Sequence, residues 1–474
     1  MSYIIAETIS RKPVLTAAGG RLYHAKALDP ASPKHIAFMR MIEKHALSPF
    51  VKIGQHLAHF LKRDQPIVFV TDWEEHTELF GLRLETNGQT VDYPGLGFAA
   101  FYTDWGNLSS AADLFAHEFS HVWIHWLGMD WNLSLANKFH TSTSITDFYM
   151  AFAEGLAEWL EIVSKDLRGY KFKDGELWDY AYDGNALISQ RDQQLRYHAV
   201  KNNRFIYHTA VPYPEDFSDT YANLHMAHIT STAFIPERIK NGSQILSSEG
   251  AVASIFFQIY AHEMFKNSYE DAEFYTAFGT AANELDPISN LILKILYALS
   301  KVDFKKPSLM TDFICSYGEC FPAEKEELYN NFTRTTHFAT VSPKARALFG
   351  EIYRVGRRGN TKEAVDLILN KRNPLVTDLR AKLLDGRLAL DAAVYDEIWI
   401  TGNKEIPPTP WEPEVTVPYR FNINTATSID FMALDDVTLE IGEMLVKIRE
   451  EQGEFSSIED FWTLKHFTDT RRPQ

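Results

Sequence analysis

The sequence predicts an α+β fold in which a small sheet near the amino terminus is followed by long helices. Three apolar segments rich in β-branched and aromatic residues have the composition of strands, and Asn-Gly and Pro-Gly pairs interrupt the chain between them. Strands grouped before helices, rather than alternating with them, are typical of this fold class. The predicted strands are Pro66–Thr71, Phe80–Glu85 and Gly97–Thr103, and the main predicted helices are Leu114–Gly128, Asp147–Leu167 and Leu246–Phe265.

The composition fits an enzyme of two or three domains. The chain has 474 residues, of which 45% are hydrophobic, so it can bury more than one core. Its net charge of −16 disfavours general nucleic-acid binding. We expect a cytoplasmic protein with no membrane partner, because no apolar run approaches eighteen residues and residues 1–13 lack a signal-peptide pattern. Cys315 and Cys320 are expected to be reduced and structural.

The first predicted helix carries the pattern H-E-x-x-H at His117, Glu118 and His121. Residues four apart lie on one helix face, so the two imidazoles can bind one tetrahedral metal ion. Glu118 would then lie beside the open coordination position, where it can accept a proton from a metal-bound water. The alternative is a core helix whose histidines only satisfy hydrogen bonds.

A hydrolytic zinc site needs a third protein ligand. The pattern that supplies a third histidine from the same segment is absent, because Ile124 and Leu127 occupy its glycine and histidine positions. His125 lies further round the helix, so packing or orientation is its expected role.

The second predicted helix supplies carboxylates instead. Glu154 and Glu158 are four residues apart among apolar neighbours, so both project from one face. Gly155 between them predicts a close approach to the first helix. A merely amphipathic surface helix is the alternative reading.

The phrases HEFSH at 117–121 and AEGLAE at 153–158 resemble the gluzincin metallopeptidases, the superfamily of thermolysin and the zinc aminopeptidases. The resemblance implies a zincin-like fold and a Zn²⁺ cofactor held by His117, His121 and Glu154. It implies that Glu158 accepts a proton from the outer nitrogen of His117. It also implies that the strand containing LGFAAFYT borders the cleft and pairs with substrate, although this strand could equally be internal.

Two further features follow from this resemblance. The segment between His121 and Glu154 is longer than in thermolysin-like members, so Trp131–Ile145 is expected to be an inserted, mobile loop at the cleft rim. Family members also carry a Tyr or His after the third ligand that stabilises the oxyanion. By position, Tyr221 is the first candidate and His225 the second.

The carboxyl-terminal part changes in character. Lys344–Asp396 is helical and charged, with a basic patch formed by Arg354, Arg357, Arg358, Lys362, Lys371 and Arg372. The predicted division is a zincin-like domain at 1–340 (sheet about 60–105, metal helices about 110–128 and 147–167, helical subdomain to about 340), a helical region at 341–406, a linker at 407–418 and a small all-α module at 419–474.

The final module resembles a helix-hairpin-helix of the competence-protein type. The resemblance rests on Asn424-Thr425-Ala426, a helix at Ile441–Glu451 and the closing phrase Phe455–Asp460. DNA-binding modules carry a Gly-x-Gly hairpin, whereas this chain has Asp435–Thr438 there. From Val417 to the last residue there are six Lys/Arg against eleven Asp/Glu. We therefore expect docking of a protein partner or a structural role, with DNA disfavoured.

Together these features predict a zinc-dependent peptidase that cleaves an intracellular protein or peptide. Endopeptidase action is favoured, because the G-x-M-E-N phrase that anchors a free amino terminus in related aminopeptidases is missing. Two alternatives stay open. One is a non-catalytic interaction scaffold on a retired peptidase fold, and the other is a DNA-targeted protease.

Overall fold

The structure, a computed structural model, is a mixed α+β chain, as predicted. It describes residues 3–16, 20–74, 76–130, 133–134, 140–169, 194–210, 233–306, 309–406 and 415–469. The strands are β1 Tyr3–Leu15, β2 Arg21–Ala27, β3 Ile67–Thr71, β4 Thr77–Thr86, β5 Gln89–Ala100, β6 Tyr207–Ala210, β7 Ala233–Ile239, β8 Trp399–Ile406 and β9 Val415–Asn422.

Helices make up most of the rest. They are α1 Pro33–Lys44, α2 Ser48–Phe60, α3 Ser109–Trp126, α4 Phe148–Leu167, α5 Gly242–Leu246, α6 Glu249–Ala261, α7 Glu263–Lys266, α8 Ala272–Ala277, α9 Pro287–Leu299, α10 Leu309–Cys320, α11 Lys325–Thr335, α12 Pro343–Arg357, α13 Thr361–Asp366, a π-helical turn Leu367–Arg372, α14 Asn373–Leu384, α15 Ser428–Phe431, α16 Leu439–Gln452 and α17 Ile458–Asp469. Residues 194–201 are also helical. Within the described residues, no helix combines the length and apolar character needed to cross a membrane.

The first five strands close into a barrel in the order β1-β2-β4-β5-β3. Pairs β1–β2 and β4–β5 are antiparallel, and the other three pairs are parallel. Small and branched side chains such as Ala25, Val70 and Leu84 fill the interior with Phe98. The prediction that the sheet begins near residue 60 is therefore wrong. It missed β1 and β2, whose outward positions carry charged residues that interrupt an apolar pattern.

The strand predicted to border the cleft is internal to this barrel. Phe98 and Ala99 pair with β4, while Ala99 and Ala100 also pair with Phe69 and Val70 of β3. Phe101 continues the ladder by donating its N–H to the Val70 carbonyl at 2.8 Å. Because both sides of this stretch are hydrogen-bonded, it has no free edge on which to add a substrate strand, and the edge prediction is wrong.

Helices α3 and α4 confirm the two predicted helices that carry the motifs. Asp147 caps α4 by accepting a hydrogen bond from the N–H of Met150 at 2.6 Å. Almost all of α4 is buried, against α3 on one side and α6 on another. The surface-helix alternative is therefore wrong. Both motifs lie in the main core of the protein.

Gly155 allows close packing, but against a different partner from the one predicted. A Cβ atom placed on Gly155 would lie 2.6 Å from Cβ of Val252 and 2.8 Å from the carbonyl oxygen of Glu249. Both neighbours belong to α6, so α4 is pressed onto α6 at this point and not onto α3. The approach fixes the depth at which the adjacent Glu154 lies.

The carboxyl-terminal part departs from its predicted boundaries. Strand β8 lies in the predicted helical region, and it pairs with β9 from Trp399↔Asn422 to Ile406↔Val415. Residues 415–418 of the predicted linker are thus part of a paired strand, and residues 407–414 lie outside the described residues. Since Ile400 joins Phe421 and Leu445 in a separate core, the module includes β8 and is not all-α.

The helices of this module lie where the sequence features of the helix-hairpin-helix resemblance predict them. Helix α15 comes directly after Asn424-Thr425-Ala426, and α16 covers the predicted second helix. The side-chain amide of Asn424 joins the two ends of the module, because it both accepts from and donates to the backbone of Phe455, at 2.9 and 3.0 Å. Gly442 brings the helices together, since a Cβ there would lie 2.3 Å from the Ser428 carbonyl oxygen.

Replacement of Gly155 by Ala should destabilise the protein. The added methyl group would overlap Val252 and the backbone of α6, and overpacking of this kind costs about 1–3 kcal/mol. Gly356→Ala is a matched control, because Gly356 also lies in a helix and has nothing within 4 Å of an added Cβ. The control should be neutral or up to about 1 kcal/mol more stable. Urea unfolding measures both, and equal stability of the two variants would contradict this packing.

Candidate metal centre

Helices α3 and α4 bring His117, His121 and Glu154 together. Possible ligand atoms of the three side chains all lie within 4.8 Å of one another. The imidazoles project from successive turns of α3, and the carboxylate faces them from the buried side of α4. His121 is 2% exposed and Glu154 is 7% exposed, whereas His117 is only partly buried. The three residues could hold a metal ion.

The spacing of the donor atoms fits a tetrahedral ion. Oε2 of Glu154 lies 3.4 Å from Nε2 of His117 and 3.5 Å from Nε2 of His121. Two donors bound about 2.0–2.1 Å from a tetrahedral zinc ion are separated by about 3.4 Å, so little rearrangement would be needed. Both histidines thus present Nε2 to the site, which leaves Nδ1 for an orienting contact.

The charges in the cluster favour an ionised carboxylate. Burial opposes the charge on Glu154, but His121 and His117 outweigh it and hold the pKa of Glu154 well below its usual range. Burial also lowers the pKa of His117, yet the carboxylates of Glu154 and Glu161 raise it well above the ordinary value. A metal ion would have to displace the proton from His117, so its binding should weaken in acid.

The outer nitrogen of His117 faces Glu161 rather than Glu158. Nδ1 of His117 lies 3.6 Å from Oε2 of Glu161, and neither atom has a hydrogen-bond partner among the described residues. The other oxygen of Glu161 accepts hydrogen bonds from Lys165 and Arg196. Despite burial, Arg196 and Lys165 keep the pKa of Glu161 well below normal, so this carboxylate is charged. The predicted contact between Glu158 and His117 is therefore wrong.

Glu158 belongs to a neighbouring polar cluster. Oε1 of Glu158 accepts a hydrogen bond from Ser142 at 3.2 Å and lies 3.6 Å from Nε of Arg196. Burial raises the pKa of Glu158 well above its usual range, and the nearby charges of Glu249 and Glu161 add to this despite Arg196. Glu158 thus lies beside the site in surroundings that favour its protonated form, and its contact with Ser142 supports the loop that carries this residue.

His140 is another site residue that the sequence reasoning missed. Its Nε2 lies 3.7 Å from Oε1 of Glu154, and its Nδ1 lies 3.0 Å from Oε2 of Glu249. Burial opposes the charged form, but Glu249 and Glu154 raise the pKa of His140 to about 9. A cationic imidazole therefore lies next to the candidate ligand Glu154, on the side away from His117 and His121.

The segment that supplies His140 is buried in its middle, next to this histidine. Ser142, Thr143 and Ser144 are all buried, and Ser142 accepts a backbone hydrogen bond from Gly250 at 3.2 Å. The prediction of a mobile rim is therefore wrong for residues 142–144. The hydroxyl of Ser142 donates to Glu158 of α4, and the hydroxyls of Thr143 and Ser144 contact that of Thr141 within the segment.

Four other histidine and tyrosine residues bear on the site in different ways. His125 packs on Phe80, with ring centroids 4.2 Å apart, in agreement with its predicted packing role. His76, which was not predicted, approaches from the β3–β4 connection, and burial together with the charge of His117 lowers its pKa to about 4. Tyr221 and His225 lie outside the described residues, so the oxyanion donor stays a prediction.

Glu118 occupies the position expected from the motif. It is 7% exposed and follows His117 on α3. Its negative charge contributes to the raised pKa of His117. A buried carboxylate this near the candidate ligands is suited to exchange a proton with a group bound between them.

Substitution of Glu161 by Gln should weaken Zn²⁺ binding. The change removes the charge that faces His117, and loss of such an orienting partner costs about 10- to 100-fold in metal affinity. Competition with a fluorescent chelator measures the affinity.

Glu158→Gln is the matched control for this variant. The Glu158 carboxyl contacts Ser142 rather than His117, and burial raises its pKa, so the isosteric amide should leave the zinc affinity within about threefold of the native value. A larger loss in Glu158→Gln than in Glu161→Gln would restore the assignment made from sequence.

Comparisons of the chain with protein-family models, with curated proteins and with solved structures return no match.

Proposed function

We propose that this protein is a zinc-dependent peptidase of gluzincin type. The observation that carries the proposal is the convergence of His117, His121 and Glu154 at the donor spacing of a tetrahedral ion, with Glu118 beside them. Bound zinc would lower the pKa of a water molecule to about 7 and polarise a carbonyl group. Three protein ligands leave the fourth position open, as hydrolysis requires.

In this mechanism each residue of the site has a separate task. Glu118 accepts a proton from the attacking water and passes it to the leaving amine. Glu161 holds the ring of His117 with Nε2 directed at the site, through the contact at Nδ1. The oxyanion would be stabilised by a further donor, for which Tyr221 is the first candidate and His225 the second.

The peptide substrate is inferred from the resemblance of the two motifs to gluzincins. Endopeptidase action on an intracellular protein is the form we favour, because no acidic anchor phrase for a free amino terminus precedes α3 in the sequence. Since β5 is paired on both sides near Ala99, substrate would have to be held elsewhere in the cleft. Pockets that bind the side chains of the substrate would then take the place of main-chain pairing with a strand.

A non-catalytic scaffold is the main rival. A scaffold has no need of the general base, yet Glu118 is present and buried beside the ligands. A DNA-targeted protease is disfavoured by the acidic module, in which Asp436 takes a left-handed conformation (φ 61°) at the hairpin. The module is better suited to a protein partner.

Purified protein should contain about one zinc ion per chain, and Glu154→Ala should lose most of it. Two histidines alone offer too few protein ligands for a stable complex. Inductively coupled plasma mass spectrometry after dialysis measures the content, and Glu273→Ala, at an exposed position of α8, is the control. Full retention of zinc in Glu154→Ala would rule out Glu154 as the third ligand.

The substitution Glu118→Gln distinguishes a catalytic peptidase from a non-catalytic scaffold. The amide keeps the shape of the side chain but cannot act as a base, so zinc content and melting temperature should be retained. Cleavage of an unstructured peptide library, followed by mass spectrometry, should slow by a factor of at least about 100. An unchanged cleavage rate would defeat the mechanism, and absence of cleavage by the native protein at full zinc occupancy would favour the scaffold.

A further inference from the structure

A second cavity is built from elements other than those of the metal centre. It is a groove of about 1130 Å³ between β7, α12, the π-helical turn and α16 of the carboxyl-terminal module. Its volume is at the upper end of the range for small-molecule sites. Part of the basic patch noted in the sequence, including Arg354 and Lys371, lines this groove.

Close packing of β7 on α12 forms the groove wall. A Cβ added to Gly350 would lie 2.8 Å from the carbonyl oxygen of Glu237, so the strand lies directly on the helix. Arg346, Gly350 and Arg354 are spaced four apart and share one helix face. The contact at Gly350 therefore places Arg238 of β7 beside the two arginines of α12, and all three line the groove.

Positive charge in the groove exceeds the negative charge that could neutralise it. Five Lys/Arg and three Glu line it, in a chain whose net charge is −16. Glu450 is paired with Arg346, and Glu237 is paired with Arg357. Within the described part of the chain, four of the five cations make no ion pair. These are Arg238, Lys344, Arg354 and Lys371.

A buried guanidinium next to the groove has a hydrogen-bond acceptor for only one of its three nitrogens among the described residues. Arg449 is 2% exposed, and its Nη1 donates to the Ile423 carbonyl at 2.8 Å. Its Nε and Nη2 atoms have no partner among the residues that the structure describes. Val446 and Glu450, on the same face of α16, line the groove. A buried, partly unsatisfied cation is costly, and its charge adds to the positive field at the groove wall, where it acts on His208.

The pKa of His208 is affected by the same excess of positive charge. Its side chain lines the groove. Burial lowers the pKa of His208 well below its usual value, and the charges of Arg238, Lys240, Arg346 and Arg449 lower it further. Cations from strand β7, from the residue that follows it and from helices α12 and α16 thus act on the imidazole of His208.

We propose that this groove binds a small molecule bearing two or more phosphate groups. Arginine donors match phosphate oxygens in pairs, and several separate cations suit several phosphates. A long nucleic acid fits less well, because it would extend beyond the groove over a protein that is acidic overall. The groove, of about 1130 Å³, is large enough for a ligand that carries several phosphate groups.

Calorimetric titration with sodium tripolyphosphate tests the proposal on the full-length protein at about 0.1 M salt. The double variant Arg354→Gln/Lys371→Gln removes two exposed groove cations that make no ion pair within the described residues. It should bind tripolyphosphate at least tenfold more weakly, as expected for loss of two charge-assisted contacts. Circular dichroism checks that the fold is retained.

The control is Arg358→Gln/Lys362→Gln. It makes the same change of charge within the same basic patch, at positions outside the groove lining. Its affinity should stay within about twofold of the native protein, since neither side chain lines the groove and exposed charges are partly screened at this salt.

Three outcomes would overturn the proposal. They are no binding of tripolyphosphate by the native protein at millimolar concentration, an equal loss of affinity in the two double variants, and tighter binding of a DNA duplex or a hexaglutamate peptide at the same salt. The last outcome would identify the groove as a surface for a macromolecule.

Discussion

Three carboxylates buried on one helix are the constraint on which this structure depends. Glu154, Glu158 and Glu161 all lie on α4 with exposures of 7% or less. A buried carboxylate must be paired or protonated, because its desolvation otherwise costs several kcal/mol. The protein uses both solutions. Imidazoles compensate Glu154, Arg196 and Lys165 compensate Glu161, and burial raises the pKa of Glu158, which favours its protonated form. The elements around α4 are arranged to deliver these partners.

Local periodicity explains which parts of the site the sequence could predict. His117, His121 and Glu154 follow from spacing within two helices and from the resemblance of their motifs. Glu161 could have been found, because seven residues bring a helix back to within about 20° of its starting direction, whereas Glu158 is displaced by about 40°. The family pattern assigned the contact with His117 to Glu158, which is nearer in sequence. The better-aligned Glu161 makes this contact instead.

The remaining differences from prediction arise from contacts between distant segments. His140 reaches the site through Glu249, which lies 109 residues away, and no spacing rule encodes that pair. The barrel closes because β1 pairs with β3 across more than sixty residues of intervening chain. Strand β8 was also missed in the sequence, because it forms by pairing with β9, which lies beyond the Pro-rich stretch. Periodicity identifies elements, but their partners are set by the tertiary fold.

The depth of the candidate ligands has a kinetic consequence. Two of the three donors are almost inaccessible, and both lie on helices packed in the main core. A metal ion bound there would exchange faster whenever α3 and α4 separate locally, so the opening of the helix pair would contribute to the exchange rate. Retention of the metal would then depend on the flexibility of the protein as much as on the strength of coordination.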